Sequence, residues 1–546
     1  MRAVILAAGE GSRFRRTVGE GPKPLFELFG VTLLERALHA ARAAGCSEAV
    51  VVLGYEAERI RRRLEPRLTG RGTGAGPGVG GGVGAGLGAG LRGALGSGPG
   101  GGARGALGTG LNVRWVEAPE WSRGNGASLL AARPVLGEDP FLLLMADHVV
   151  DPALPRRAAA AAADPGGAAV LAQGGALLLV DPRLDQVHGL DEATRVRCAA
   201  GRVTAIGKDL TPFTAVDTGV FVGSPGLLAA LETVRSRAGA GGPVTLTAGA
   251  ALLAEAGLLA AVPVQDGWWI DVDEAADLPA VRQHLLVAAT SSGGDGPVAR
   301  WLNRPVSRRI TAVLAPTRVT PDQVTWTAWL LAVAGAVCFS LGLPAAGGIL
   351  AQLASIVDGS DGELARLRLE ARPAGALLDT LLDRYADAAL IAGMTLGALR
   401  AAGWPGLAPP LTADPAASGC STWLPWAAGF LALAGAPLSA LVKSGLQRLA
   451  GGGSGGVPGA PGHATGAGHA GGSGHTGGAG ARYNPLQDDP AWLRWLPVNR
   501  DGRCLVILIG GLAGAPLAAL LVLAVVTHVG AWARLRYGMR TLSHAA

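Results

Sequence analysis

Two different hydrophobic patterns divide this chain of 546 residues. Over the first half, short apolar runs alternate with stretches of helical pattern. The runs Ala3–Leu6, Ala49–Leu53, Asn112–Glu117, Phe141–Met145, Ala176–Val180 and Thr218–Val222 predict strands, and residues 32–44 predict a helix. Strands alternating with helices predict an α/β domain. The second half carries longer apolar stretches. Thr325–Val357 has no formal charge, and neither has Ala388–Leu399. One bilayer crossing takes about 20 residues, so Gly342-Leu343-Pro344 is expected to divide the first stretch into two helices. Further crossings are predicted at about 375–399, 423–444, 504–514 and 516–533. The last pair reads equally as a tight hairpin or as one long tilted helix. About six crossings would return the chain to its starting side, and the basic residues Arg534, Arg536 and Arg540 favour that count. Before the first crossing, the basic, half-apolar segment Trp301–Val319 reads as an interfacial helix.

Composition sharpens the division into domains. Only 16% of residues are charged and mean hydropathy is +0.33, above that of an ordinary soluble enzyme. The net charge of +6 forms no stripe along one element and gathers instead beside the apolar segments, which argues against a nucleic-acid partner. Two glycine-rich tracts, 70–110 and 449–480, offer too little apolar surface to offset the entropy of ordering them, so they are expected to be flexible insertions. Cys46, Cys198, Cys338, Cys420 and Cys504 are scattered and make no metal pair or disulfide framework. The expected organisation is an α/β domain over 1–285, a linker over 286–300 and a membrane domain over 301–540.

The first strand runs into Leu6-Ala7-Ala8-Gly9-Glu10-Gly11-Ser12-Arg13-Phe14, with Pro22-Lys23-Pro24-Leu25 following. Glycines after a strand let backbone N–H groups approach phosphates. Arg13 and Lys23 would neutralise a triphosphate and stabilise charge building at its α-phosphorus. The glycine spacing is neither that of a dinucleotide fold nor that of a P-loop. These motifs resemble the nucleotidyltransferases of the sugar-phosphate type, and more narrowly inositol-1-phosphate cytidylyltransferase. The resemblance implies a Rossmann-like domain that binds its nucleotide through Leu6, Ala8, Gly9, Gly11, Ser12, Arg13, Lys23 and Asn125. It implies Asp147, in Leu144-Met145-Ala146-Asp147-His148, as a Mg²⁺ ligand. The second metal carboxylate falls within Trp269-Ile270-Asp271-Val272-Asp273, where Asp273 is preferred. Gly124-Asn125-Gly126-Ala127-Ser128 resembles the segment that meets the base or sugar, and Lys208 a lysine that meets the acceptor phosphate.

The membrane half holds acids where acids are costly. Asp358-x2-Asp361-Gly362-x2-Ala365-Arg366-x8-Gly375-x3-Asp379-x3-Asp383 places its aspartates three and four apart, so each pair shares a helix face. Four facing carboxylates call for hard divalent ions. This run agrees with the signature of the CDP-alcohol phosphatidyltransferases at every defining position. The resemblance implies two metal ions, Mg²⁺ or Mn²⁺ in its place, held by Asp358, Asp361 and Asp379. Asp383 would add a ligand and serve as the base. Gly362, Ala365, Arg366 and Gly375 would line the CDP. Arg304, Arg309, Lys443 and Arg448 stand as contacts for an acceptor phosphate or, equally, as inner-face topology charges.

The first domain would make a CDP-alcohol and the second would consume one. Together they resemble the bifunctional family that joins inositol-1-phosphate cytidylyltransferase to di-myo-inositol phosphate phosphate synthase, and Leu302–Arg309 with Thr320–Thr325 matches that subgroup. The resemblance implies CTP, inositol 1-phosphate and CDP-inositol as substrates in the making of a compatible solute. It also implies a homodimer in the cell (inner) membrane with its first domain in the cytoplasm. Two alternatives stand beside it: lipid headgroup synthesis by transfer to a lipid acceptor, and a membrane scaffold with a non-catalytic first domain.

Overall fold

The computed structural model describes residues 1–19, 21–68, 111–290, 296–404, 423–451 and 490–545. The tract 70–110, nearly all of 449–480, and Cys420 lie outside the described residues. The chain divides into two compact units, Met1–His284 and Leu285–Ala546.

Among its described residues the first unit has thirteen strands: β1 (Arg2–Ala7), β2 (Glu27–Leu28), β3 (Val31–Thr32), β4 (Glu48–Leu53), β5 (Asn112–Glu117), β6 (Phe141–Met145), β7 (His148–Val150), β8 (Ala176–Asp181), β9 (Arg195–Ala199), β10 (Arg202–Gly207), β11 (Ala215–Gly223), β12 (Leu259–Pro263) and β13 (Trp269–Asp271). Nine make one mixed sheet in the order β5-β4-β1-β6-β11-β8-β12-β10-β9. Each apolar run predicted as a strand is a strand in this sheet, and the predicted helix at 32–44 spans Leu33–Ala43 behind a Thr32/Glu35 capping box. Its two faces pack into separate cores, with Val4, Leu6 and Leu143 on one side and Ala3, Ile5 and Leu144 on the other. That alternation is the period of two expected for a strand covered on both faces.

The sheet topology gathers the site at one edge. β1 and β6 are parallel neighbours with Leu6 opposite Met145, so the glycine loop after β1 and Asp147 after β6 emerge side by side. β11 runs antiparallel to β6, and its first residues therefore reach the same edge. There β7 and β13 form a two-stranded ribbon that pairs His148 with Asp271. The Val272 N–H donates to the Asp147 carbonyl at 3.1 Å and ties the ribbon to the end of β6.

Among its described residues the second unit is helical. A π turn over Ala299–Asn303 leads into α1 (Arg304–Leu314), followed by α2 (Pro321–Ser340), α3 (Pro344–Leu367), α4 (Pro373–Ala401), α5 (Trp423–Gly451), α6 (Arg500–Leu512) and α7 (Pro516–Ala545). The interfacial helix expected to reach Val319 ends at Leu314. Pro316 cannot extend it, and Arg368 donates to the carbonyls of Leu314, Ala315, Thr317 and Val319 at 2.6–3.0 Å, fixing the turn that follows. The linker expected over 286–300 is helical at both ends, since one helix covers Leu278–Thr290 and the π turn starts at Ala299. The 504–533 segment is two helices. Gly514, at φ +64, permits the left-handed turn that ends α6, and Pro516 starts α7.

Among the described residues, Pro321–Ser340, Trp423–Leu446 and Pro516–Thr541 are long and apolar enough to cross a membrane. Helices α2, α3 and α4 approach closely through small residues. A Cβ on Gly393 would meet the Ala336 carbonyl oxygen at 2.2 Å, and one on Gly397 the Phe339 oxygen at 2.4 Å. Glycines four apart on one face let helix backbones meet where no hydrophobic effect would drive them together.

Candidate active sites

The first site is a cavity of about 570 Å³ at the carboxyl edge of β1 and β6. Leu6, Ala8, Gly9, Asn125, Asp147, Lys208 and Asp273 all line it, so seven separately predicted residues meet in one place. Gly11 has φ +62, and a Cβ there would come within 2.9 Å of Lys23 Cβ, so the loop and the lysine pack against each other. Ser12 starts the short helix Ser12–Val18 that carries Arg13. Gly124 and Gly126 let the segment before Ser128 press against the Val244 carbonyl. The Asn125 Oδ1 accepts from the Leu246 N–H at 2.8 Å, which fixes that side chain in the wall.

Charge is concentrated on the ribbon side. Lys23 Nζ, 5% exposed, lies 3.2 Å from Asp147, 2.9 Å from Asp273 and 3.8 Å from Asp271. Burial works against its ammonium, but these three carboxylates outweigh burial and raise its pKa. Arg13 donates to Asp273 at 2.8 Å and to Glu192 at 2.6 Å. The oxygens and ring nitrogen that could hold one metal ion belong to Asp147, His148 and Asp271, all within 4.8 Å of one another. Asp273, preferred from the sequence, is the partner of Lys23 and Arg13, while Asp271 is the residue placed opposite His148 by strand register. Burial opposes the His148 imidazolium, yet Asp271 and Asp147 lift its pKa to about 9. Asp217 also lines the cavity. Burial lifts its carboxyl to about 6, although the Gly219 N–H donates to it at 2.7 Å. No sequence motif marks Asp217, which reaches the site through sheet topology, whereas His148 directly follows Asp147 in its motif and meets Asp271 only through strand register.

The second site lies between α3 and α4. Carboxylate oxygens of Asp358, Asp379 and Asp383 lie within 4.8 Å of one another. Asp361 sits beside them, 8% exposed, accepting from Thr325 Oγ1 at 2.5 Å and from the Gly362 N–H. Gly362 and Gly375 keep their faces low. A Cβ on Gly362 would meet the Arg366 guanidinium at 3.2 Å, and one on Gly375 would meet Asp322 at 3.7 Å. Ala365 lies one turn after Asp361 on the same helix, and Arg366 donates to the Ala289 carbonyl at 2.7 Å.

The predicted phosphate contacts divide. Arg304 reaches Glu363 at 2.7 Å, and Glu363 is fully buried and also accepts from Ser307 Oγ at 2.7 Å and Thr311 Oγ1 at 2.6 Å. Arg309 and Arg448 are exposed, and the Lys443 side chain lies outside the described residues. Sequence reasoning missed a further cation. Arg500, at the start of α6, lies 2.5 Å from Asp383 and also contacts Asp358.

Each of the two units is similar to a known family. Residues 3–100 match the MobA-like NTP transferase domain model, and residues 318–414 match the CDP-alcohol phosphatidyltransferase model. Fold and sites define a membrane transferase with two catalytic units, a nucleotidyltransferase followed by a CDP-alcohol phosphotransferase. The chain is 36% identical over 411 residues to the bifunctional IPC transferase and DIPP synthase of Rubrobacter xylanophilus, covering 74% of this chain and 80% of that one. The protein of that name from Aquifex aeolicus is 31% identical over 396 residues, covering 72% and 77%. A stretch of the chain is also similar to the archaetidylinositol phosphate synthase of Pyrococcus horikoshii, at 33% identity over 91 residues, covering 17% of this chain and 48% of that one. The chain belongs to the family of bifunctional IPC transferases and DIPP synthases. It is a bifunctional transferase with a multi-pass membrane domain, and its nucleotidyltransferase-like unit is cytoplasmic.

Proposed function

We propose that the chain catalyses two consecutive transfers. CTP and inositol 1-phosphate give CDP-inositol and pyrophosphate in the first unit. CDP-inositol and a second inositol 1-phosphate give di-myo-inositol phosphate phosphate and CMP in the second. The observation that carries this reading is the presence, in one chain, of a nucleotidyltransferase cavity and a separate CDP-alcohol aspartate centre. The product of one is the donor of the other.

In the first transfer an oxygen of the acceptor phosphate attacks the α-phosphorus of CTP, and the bond to pyrophosphate breaks. Positioning and charge neutralisation are the main requirements. The glycine loop from Gly9 to Gly11 supports the phosphates, Asn125 fixes the wall beside the base or sugar, and Lys208 meets the acceptor phosphate. Lys23 and Arg13 stabilise charge at the α-phosphorus. Asp147 and either Asp271 or Asp273 would hold Mg²⁺, which supplies charge stabilisation on the phosphate oxygens when bound. Asp147 and Asp271 fit a metal through their shared focus, where His148 beside them would lose its proton as the metal binds, and Lys23 is the cation that couples Asp273 to them.

In the second transfer a hydroxyl of the acceptor attacks the inositol-bearing phosphorus of the donor, and the bond to CMP breaks. Asp383 takes the hydroxyl proton. Asp358, Asp361 and Asp379 would hold divalent ions, which polarise the donor diphosphate when bound. Gly362, Ala365 and Gly375 leave room for the nucleotide between α3 and α4. Arg309 and Arg448, both exposed, would meet the acceptor phosphate, while Arg304 is tied to Glu363.

The remaining features follow from the same reading: about six crossings, a homodimer, and the inner membrane as location. Asp361→Ala is the direct test. CMP formation is expected to stop while pyrophosphate release from CTP and inositol 1-phosphate continues, and loss of both would contradict two separable sites. A diacylglycerol-like acceptor tested in place of inositol 1-phosphate separates lipid headgroup synthesis from this reading.

A further inference from the structure

The aspartate centre contains a cation delivered from far along the chain. Arg500 Nη1 lies 2.5 Å from Asp383 Oδ1 on α4 and also contacts Asp358 Oδ2 on α3, with the side chain 14% exposed. The match to the CDP-alcohol phosphatidyltransferase model ends at residue 414, before α6 begins.

Neighbouring contacts fix the helix that carries this arginine. Arg503, one turn later on the same face of α6, donates to Asp387 at 2.5 Å and to the Val498 carbonyl at 2.7 Å. Asp387 in turn lies one turn after Asp383 on α4, so two ionic rungs join these helices. On its other side, Asp501 accepts from Asn303 Nδ2 at 2.6 Å and from Ser355 Oγ, on α3, at 2.9 Å. The first turn of α6 is therefore anchored to both helices that bear the aspartates.

Asp358, Asp379 and Asp383 have carboxylate oxygens within 4.8 Å of one another, and like charge at that separation is costly unless a proton or a cation offsets it. Arg500 supplies such a cation. A guanidinium and a divalent ion drawn to the same pair of carboxylates repel each other, so a metal arriving there competes with it. The anion that arrives with the metal is a diphosphate, which the planar fork of an arginine suits. We propose that Arg500 is the centre's built-in counter-ion: it holds Asp358 and Asp383 together, yields them to a divalent ion, and turns to the diphosphate of the CDP donor. This rests on the reading of the aspartate run as a metal and CDP site.

The test uses the full chain in detergent, with Asp147→Asn, Asp271→Asn and Asp273→Asn together removing the metal-holding carboxylates of the first unit. Mn²⁺ binding is read by electron paramagnetic resonance, and CDP binding in saturating Mn²⁺ by calorimetry. Arg500→Gln is expected to tighten Mn²⁺ about tenfold, as a competing cation is lost. It is expected to weaken CDP about tenfold, as a charge-assisted hydrogen bond is lost. Arg500→Lys keeps the charge and loses the fork, so Mn²⁺ binding stays at the parent value while CDP still weakens. A purely structural role would weaken both ligands. That result, or parent-like binding of either ligand by Arg500→Gln, overturns the proposal. Should that variant not fold, Arg500→Lys decides alone, and undiminished CDP binding overturns it. Mn²⁺ retained by Asp358→Asn would instead contradict the metal reading itself.

Discussion

Lys23 shows how one buried side chain organises the first site. At 5% exposure it bridges Asp147 and Asp273, and its charge is held by carboxylates rather than by water. Replacing it by methionine keeps the volume and removes the charge. Pyrophosphate formation is expected to fall by about 10²–10³, the scale for losing one preorganised charge partner. CMP formation from supplied CDP-inositol is expected to persist, and following both products in one reaction checks this. At this scale the sequence revealed residue types that sit next to a recognisable loop. Arg13, Lys23 and Asp147 belong to motifs, and they meet in space as expected. His148 follows Asp147 in its motif, but its pairing with Asp271 depends on strand register, and Arg500 faces Asp383 across a tract of glycines with no local signal at all.

At the scale of elements, the β7–β13 ribbon depends on Asp181 at the end of β8. This carboxylate is 2% exposed, accepts from Trp269 Nε1 at 3.0 Å, and is paired with Arg183 at 2.8 Å. Burial opposes its ionisation, but the hydrogen bonds from Arg183 and Trp269 hold its pKa below the ordinary carboxylate range. A depressed folded-state pKa gives stability that is fully present above the unfolded value, near about 4, and is lost as pH falls through the folded value. Asp181→Asn is therefore expected to speed amide exchange in β13 at neutral pH. Its stability cost, about 1–3 kcal/mol, should shrink below about pH 4. A cost that is the same at pH 3 and pH 7 would argue against the ionised form as the anchor. In the membrane unit, Gly393→Val would place a side chain on the Ala336 carbonyl. Such overpacking typically costs about 1–3 kcal/mol, expected as a lower unfolding temperature in detergent. Long apolar runs and the break at Gly342-Leu343-Pro344 that starts α3 were legible because they depend on local rules. Strands such as Arg195–Ala199 and Arg202–Gly207 were not, since charged residues on their outer faces break the apolar run.

For the whole molecule, the two acidic centres belong to different compact units, and each family match falls on a different unit. Separate units make separate defects. Asp147→Asn is expected to abolish pyrophosphate release and to leave CMP formation from supplied CDP-inositol intact, the converse of Asp361→Ala. Mixing these two defective chains should restore CMP formation from CTP if CDP-inositol diffuses between molecules. The two-unit organisation was legible because strand-length and membrane-length apolar runs do not overlap along the chain. The identity of the phosphoalcohol rests on resemblance, since a carboxylate and a lysine in a cavity accept many polyols. The most direct measurement gives the purified full chain Mg²⁺, CTP and inositol 1-phosphate and follows pyrophosphate and CMP over time. Pyrophosphate first and CMP after a lag is the predicted result. Pyrophosphate only with a different phosphoalcohol, or CMP that forms only when a lipid acceptor is added, would contradict it.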